Sequence, residues 1–279
     1  MALRVGLVQL NAGDDPATNL PITLGHIRNA AAGGAQFVAT PEVTNIVSSS
    51  RSHQRAVLRP EPQDETLAAL RAEAKALGIW LLIGSLAVLS DDPSDDRFAN
   101  RSFLIAPTGE IAARYDKIHM FDVALDGGES YRESAGFRPG SKAVLTATPI
   151  GKIGLTVCYD MRFPALYRAL AQAGAQIITV PAAFTVQTGR AHWHALLRAR
   201  AIETGAFILA PAQCGQHVGR QTYGHSLVVN PWGEVIAEAD DTQGVTFATI
   251  DLMEIEKARA RIPSLRHDRA FDLPSEPPL

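Results

Sequence analysis

No large excess of positive or negative charge marks this sequence: 26 basic residues meet 29 acidic ones over 279 positions, a formal net charge of -3. Mixed signs without a basic stripe exclude the electrostatic footprint of a nucleic-acid-binding protein. No apolar run is long enough to span a bilayer. The opening Met1-Ala2-Leu3-Arg4-Val5-Gly6-Leu7 enters a strand pattern without the charged-then-apolar order of a signal peptide. The expectation is a cytoplasmic protein with no membrane partner. Cysteine is scarce, with only Cys158 and Cys214. A disulfide framework is therefore excluded, and a reducing compartment leaves both thiols free, Cys214 reading as structural. His192-Trp193-His194 invites a metal, but residues i and i+2 diverge on a helix and no third ligand is evident. Neither metal nor cofactor is expected.

Apolar residues, by contrast, are plentiful: a hydrophobic content of 46% supplies the core of one large α/β domain or two small ones. Arg4-Val5-Gly6-Leu7-Val8-Gln9-Leu10 reads as a strand. Asp15-Pro16 opens a helix to Ala32, and Gly33-Gly34 ends it before a strand at Gln36-Phe37-Val38-Ala39. Asp64-Glu65-Thr66 caps a helix through Leu77, Trp80-Leu81-Leu82-Ile83-Gly84 is a buried strand, and polar residues 90–96 form a loop. Pro107-Thr108-Gly109-Glu110 carries the turn chemistry of a hairpin between residues 102–106 and 111–115.

The pattern occurs twice. Val5-Gly6-Leu7-Val8, a helix and Ala35-Gln36-Phe37-Val38-Ala39-Thr40-Pro41 read like Ile153-Gly154-Leu155-Thr156-Val157, a helix and Ala175-Gln176-Ile177-Ile178-Thr179-Val180-Pro181. Each half closes on a hairpin, around Pro107-Thr108-Gly109-Glu110 in one and Pro231-Trp232-Gly233-Glu234 in the other. Two such halves make two facing sheets with helices outside, an α-β-β-α sandwich with an internal pseudo-twofold. The expected organisation is one domain over residues 1–258 and an extended polar tail over 259–279, rich in proline and charge, draped over a neighbouring subunit.

Cys158 lies where a strand gives way to the helix formers that follow Pro164. A thiol near a helix N-terminus feels unpaired N–H groups and the dipole, both favouring thiolate, and the N–H of Tyr159 faces a developing oxyanion. A lone cysteine is also at home as a small buried hydrophobe, so position alone leaves both readings open. Glu42 follows the C-terminal end of a strand, where open α/β sheets place their chemistry, although a solvated glutamate fits as well. Lys117 leaves the hairpin's exit strand with His119 on the same face. A buried lysine there needs a carboxylate partner, for which Glu42 is a candidate. Residues 121–142 make a connection long enough to serve as a lid or pocket wall, and they include Glu133. Arg162 suits a fork onto a substrate carboxylate and equally a structural tie for the turn.

Cys158-Tyr159-Asp160-Met161-Arg162-Phe163-Pro164 resembles the nucleophile motif of the nitrilase superfamily, the carbon-nitrogen hydrolases with a Glu-Lys-Cys triad. Thr40-Pro41-Glu42 is similar to its glutamate motif and Tyr115-Asp116-Lys117-Ile118-His119 to its lysine motif, in the family's order. His192-Trp193, Arg198-Ala199-Arg200-Ala201-Ile202-Glu203, Tyr223-Gly224-His225-Ser226 and Pro231-Trp232-Gly233 extend the likeness from Arg4 to Asp251. The resemblance implies the same sandwich and a homodimer or larger assembly. It implies an amidase in which Glu42, Lys117 and Cys158 are catalytic, Glu133 borders the site, and Arg162 and Thr188 take a keto-acid carboxylate. Gln213-Cys214-Gly215 and Tyr223-Gly224-His225-Ser226-Leu227-Val228-Val229 most resemble the branch that hydrolyses deaminated glutathione to 2-oxoglutarate and cysteinylglycine. Alternatives are an ω-amidase acting on 2-oxoglutaramate or 2-oxosuccinamate, a nitrilase or N-carbamoyl hydrolase on the same triad, and a redox-sensing or interaction protein using Cys158 as a reactive thiol.

Overall fold

The computed structural model describes residues 2–90, 92, 94–125 and 130–272. Asp91 and Pro93 of the expected polar loop, residues 126–129 of the long connection and residues 273–279 of the tail lie outside them. In chain order the first half comprises β1 (Ala2–Gln9), α1 (Pro16–Ala32), β2 (Phe37–Ala39), α2 (Arg51–Val57), α3 (Glu65–Leu77), β3 (Trp80–Leu89), β4 (Phe98–Ile105) and β5 (Ile111–Asp116). The short β6 (Asp122–Ala124), β7 (Ser130–Arg132) and β8 (Phe137–Arg138) follow, then β9 (Val144–Thr148). The second half comprises β10 (Gly151–Leu155), α4 (Pro164–Gln172), β11 (Ile177–Thr179), α5 (Val186–Thr204), β12 (Phe207–Ala210), β13 (Cys214–His217), β14 (Arg220–Tyr223), β15 (Leu227–Val229), β16 (Val235–Glu238), β17 (Gly244–Asp251) and α6 (Met253–Arg261).

Local chemistry sets the helix ends. Asp15 caps α1 by accepting from Ala17 N at 3.1 Å, ahead of Pro16, which needs no N–H partner. Asp64 caps α3 by accepting from Leu67 N at 2.7 Å, and Gly78 stops it with φ +65°. α5 begins at Val186 because Thr185 caps it through Thr188 N.

Each half builds the same sheet. The first runs β17-β1-β2-β3-β4-β5 with β8 on β4, and the second runs β16-β15-β12-β11-β10-β9. β1-β2-β3 and β10-β11-β12 are parallel, and an antiparallel hairpin follows at one side of each. The outermost strand of each sheet is the one that follows the other half's hairpin: β9 succeeds β5 yet pairs with β10, and β17 succeeds β16 yet pairs with β1. The halves therefore share strands and form one layered body.

Successive residues of the first sheet alternate between two apolar clusters. Val5, Leu7, Phe37, Ala39, Leu82 and Leu104 face the second sheet, while Val8, Val38, Leu81, Ile83, Phe103 and Ile105 pack under α1 and α3. Both faces are buried, which is why these strands read as near-continuous apolar runs and why the layers are α-β-β-α. Equivalent glycines let a helix settle on each sheet. A Cβ on Gly6 would lie 3.1 Å from Ala30 Cβ, and one on Gly154 would lie 3.2 Å from Leu170 Cδ1. β3 continues five residues beyond Gly84, the end read from the sequence, through a register break between Ile83 and Leu86. Gly84 is needed at that break because a Cβ there would stand 1.9 Å from Thr40 O.

Candidate active site

Cys158, Glu42 and Lys117 all lie just past strand ends, after β10, β2 and β5, where the two sheets meet. Cys158 does not open an α-helix, as the sequence pattern implies. It opens a 3-10 turn, Cys158–Arg162, and α4 starts only at Pro164. Its φ of +49° is a conformation that costs a non-glycine residue about 1–3 kcal/mol. Burial of one core leucine or isoleucine is worth about as much, so the surrounding packing can hold it.

Asp160 locks the turn from beneath. Fully buried, it accepts from Val157 N at 2.9 Å and Tyr115 Oη at 2.6 Å through one oxygen, and from His119 N at 3.0 Å through the other, which also meets His119 Nδ1 at 2.7 Å. The His119 ring stacks on Phe163 with centroids 3.5 Å apart. Lys117 and His119 thus serve different carboxylates.

The glutamate corner is built the same way. Val43, immediately after Glu42, has φ +48°, rare for a β-branched residue, and is held by Ser85 Oγ on its N–H at 2.8 Å. Gln213 Nε2 donates to Glu42 O at 3.0 Å. The Glu42 carboxylate accepts from Lys117 Nζ at 2.9 Å, Asn100 Nδ2 at 3.0 Å and Ala183 N at 2.9 Å. Lys117, 2% exposed, also donates to Glu133 Oε1 at 2.9 Å and Oε2 at 2.8 Å, and Glu133 Oε2 is fixed by Phe121 N at 2.6 Å. A buried ammonium is tolerable only with such pairing.

The charges follow from these contacts. Burial alone would raise the Glu42 carboxyl, but the Lys117 charge, its hydrogen bond and one from Cys158 hold it below the ordinary 4.5. For Lys117, burial opposes the charge, yet Glu133 and Glu42 raise it well above 10.5. For Cys158, burial and the Glu42 charge push the thiol well above 9.0 against the pull of Lys117. Burial and Glu42 thus outweigh the pull toward thiolate expected of a helix N-terminus, and the thiol, hydrogen-bonded to an ionised glutamate, has a ready acceptor for its proton.

These groups form the floor of a cavity of about 320 Å³, within the ordinary range for small-molecule sites, roughly 300–1,000 Å³. Glu133, Tyr159 and Thr188 line it, with Phe121, Tyr131 and Phe184 as apolar walls. Thr188 sits in the first turn of α5, its hydroxyl 2.9 Å from that of Thr185, so α5 presents its N-terminus to the cavity. Arg162 is not on the lining. Its guanidinium lies 5.8 Å from the Tyr159 ring centroid and 5.5 Å from that of Phe184, with Nη2 3.2 Å from His192 Nδ1, so it backs two lining rings. His194 bonds instead to Glu238 at 2.8 Å, and no group able to hold a metal ion occurs among the described residues.

Sequence alone gave no site role to Asn100, Asp160, Gln213 or Arg220. Asn100 had a signal, an amide inside a strand, Phe98–Ile105, that is buried throughout. Asp160 stood within the quoted nucleophile motif. Arg220 reaches back from β14 to Ala183 O and lines the cavity, a contact only the fold reveals.

Glutamate, lysine and cysteine at the seam of two such sheets define a class, and the family comparison agrees with it. The carbon-nitrogen hydrolase model matches residues 4–260, so the chain belongs to the carbon-nitrogen hydrolases. It is 40% identical over 268 residues to the deaminated glutathione amidase of Yersinia enterocolitica, covering 95% of this chain and 92% of that one. Among solved structures it is similar to the Caenorhabditis elegans NitFhit protein, with TM-score 0.88 and 34% identity over 96% of this chain and 65% of that one. It is also similar to Saccharomyces cerevisiae Nit3, a member of branch 10 of the nitrilase superfamily, with TM-score 0.85 and 30% identity over 95% and 96% of the two chains.

Proposed function

We propose that this chain is an amidase that hydrolyses deaminated glutathione through a thioester on Cys158. The observation that carries the chemistry is the buried cluster of Glu42, Lys117 and Cys158 beneath one cavity. Cys158 Sγ attacks the amide carbonyl carbon while Glu42 takes the thiol proton. The Lys117 ammonium and the Tyr159 N–H stabilise the oxyanion, and Glu133 keeps the ammonium in place. Collapse breaks the C–N bond, Glu42 returns its proton to the departing amine, and the 2-oxoglutaryl group stays on sulfur. Water, deprotonated by Glu42, then releases 2-oxoglutarate and restores the thiol.

The keto-acid carboxylate is placed at Thr188 and the N-terminus of α5, with Arg162 bracing the Tyr159 and Phe184 walls from behind. The 40% identity to a deaminated glutathione amidase supports the dipeptide-bearing substrate over 2-oxoglutaramate, which lacks that half. A cytoplasmic homodimer or larger assembly is the setting proposed. No helix among the described residues is long and apolar enough to cross a membrane, and Ile202 and Trp232 expose about half their surface side by side around Gly233. The test is kcat/KM for deaminated glutathione and 2-oxoglutaramate measured together, with an aliphatic nitrile as control. A preference of about tenfold or more for the dipeptide conjugate, worth ~1.4 kcal/mol, is expected. The reverse order would move the assignment to ω-amidase, and turnover of the nitrile alone would overturn both.

A further inference from the structure

Three guanidiniums border the cavity, Arg51, Arg132 and Arg220, together with the Lys117 ammonium, whereas its lining carboxylates among the described residues are Glu42 and Glu133. Lys117 bonds to both of those carboxylates on the floor. Among the described residues, neither of those carboxylates is hydrogen-bonded to an arginine. Arg51, at the first position of α2, directs Nη2 at the backbone oxygen of Arg132 at 3.5 Å, a contact too long to hold a side chain firmly. That contact nonetheless brings the start of α2 and the end of β7 together at one place on the rim. Gly136 lies against the same guanidinium: a Cβ there would come 3.1 Å from Arg51 Nε. Arg132 is exposed and shares this stretch of wall with Tyr131 and Ser130. Asp122 stands opposite Arg132 across the β6–β7 pair and feels its charge, while its carboxylate accepts from the N–H and hydroxyl of Ser134. Arg220 lies deeper, donating to Ala183 O with its Nε buried and unbonded, and its charge is felt by Glu42.

Among the described residues, the lining is thus cationic beyond its floor. Among the described residues, an amide with one carboxylate bound near Thr188 would leave Arg51 with no carboxylate and Arg132 with Asp122 alone. We propose that Arg51 and Arg132 form a second anion subsite that takes a free carboxylate on the amine half of the substrate, so that the enzyme selects amides whose leaving amine is itself an acid, as a dipeptide is. This rests on the assignment of deaminated glutathione as substrate and adds the residues that distinguish it from a one-carboxylate amide. Planar guanidiniums suit the role because each can offer a carboxylate two parallel N–H donors. The subsite also acts on the leaving group: once the C–N bond breaks, the dipeptide is held only by this rim, which is open to solvent.

The experiment compares deaminated glutathione with the same compound carrying a terminal carboxamide in place of the glycine carboxylate, in wild type, Arg51→Gln, Arg132→Gln and the double variant. Each protein's rate on the capped compound is its internal reference, so a general loss of activity does not enter the ratio. Wild type should lose about tenfold in kcat/KM on capping, mainly through KM, and the double variant should lose less than about twofold. Raising salt from 50 to 500 mM should shrink the wild-type ratio as well, because rim charges are screened. A capping penalty equal in wild type and double variant, or none in wild type, would overturn the subsite while leaving the amidase assignment intact. A wild type that prefers 2-oxoglutaramate to both conjugates would overturn the substrate assignment and the subsite together.

Discussion

The two halves of this molecule repeat one frame and differ at the ends of its strands. Gly6 and Gly154 occupy the same place under α1 and α4, and Gln36 and Gln176 each turn a side-chain oxygen to the backbone N–H of a facing strand, at Arg4 and Lys152. In the same alignment Cys158 stands where the first half has Leu10, Glu42 where the second has Ala182, and Lys117 where the second has Asp241. Leu10 and Ala182 are core residues and Asp241 is exposed. Positions that the halves share support folding, and positions where they differ carry the proposed chemistry. Neither half holds the cluster alone, which accounts for the exchange of β9 and β17 between the sheets.

The largest expected effect breaks that asymmetry at sulfur. Cys158→Ala should lower kcat by about 10,000-fold or more while leaving the thermal transition in place, because no other group supplies a nucleophile. Leu10→Cys added to Cys158→Ala should restore nothing, since the Leu10 side chain packs into the cluster under α1 and α3 and is not on the cavity lining. Activity regained in the double variant would mean the halves are chemically interchangeable.

Gly84→Ala should be the most damaging change to the frame. Its Cβ would meet Thr40 O at 1.9 Å, Pro41 O at 2.8 Å and Pro181 Cβ at 2.5 Å, joining two rigid backbones and a proline at the seam. A loss above about 4 kcal/mol in denaturant unfolding, or failure to recover folded protein, is expected. Unfolding like wild type would show that the seam is loosely packed.

Gly6→Ala and Gly154→Ala sharpen the comparison. Each should cost about 1–3 kcal/mol by overpacking. Gly6 should cost more, because its Cβ meets those of Ala30 and Ala35 at 3.1 and 3.2 Å, which move only with the backbone, whereas Gly154 meets the mobile end of Leu170. Chemical denaturation orders the pair, and equal losses would show that Ala30 and Ala35 give way as readily.

The smallest effect concerns pH. Glu42 has a folded pKa below 4.5, so its ionised form, and the activity and stability that depend on it, persist above that value and are lost as pH falls through the folded pKa. The acid limb of kcat/KM should lie below pH 4.5. Asn100→Leu removes a hydrogen bond at 3.0 Å from the carboxylate and should move the limb upward with a modest loss of rate. A limb near pH 7 in wild type would contradict an ionised resting Glu42.

Strand positions, helix caps and the repeat were legible because they depend on neighbours: alternation over a few residues, Asp15 and Asp64 as caps, Gly33-Gly34 as a stop. The convergence of Glu42, Lys117 and Cys158 was legible only because the family's three motifs and the repeat placed them at strand ends. What escaped depends on distance along the chain. Asn100 meets Glu42 across 58 positions, Gln213 across 171, and the pairing of β17 with β1 spans nearly the whole sequence. The thiol's state escaped as well, because it is set by burial and by Glu42, while the expected helix dipole is replaced by a 3-10 turn.

The measurement closest to the central claim is mass analysis of protein quenched within one turnover on deaminated glutathione and, separately, on 2-oxoglutaramate. Both should leave the same 2-oxoglutaryl group on the Cys158 peptide, with one equivalent of cysteinylglycine or ammonia released before the acid. Amine release with Cys158 unmodified, or an acyl group found on Cys214, would contradict the account.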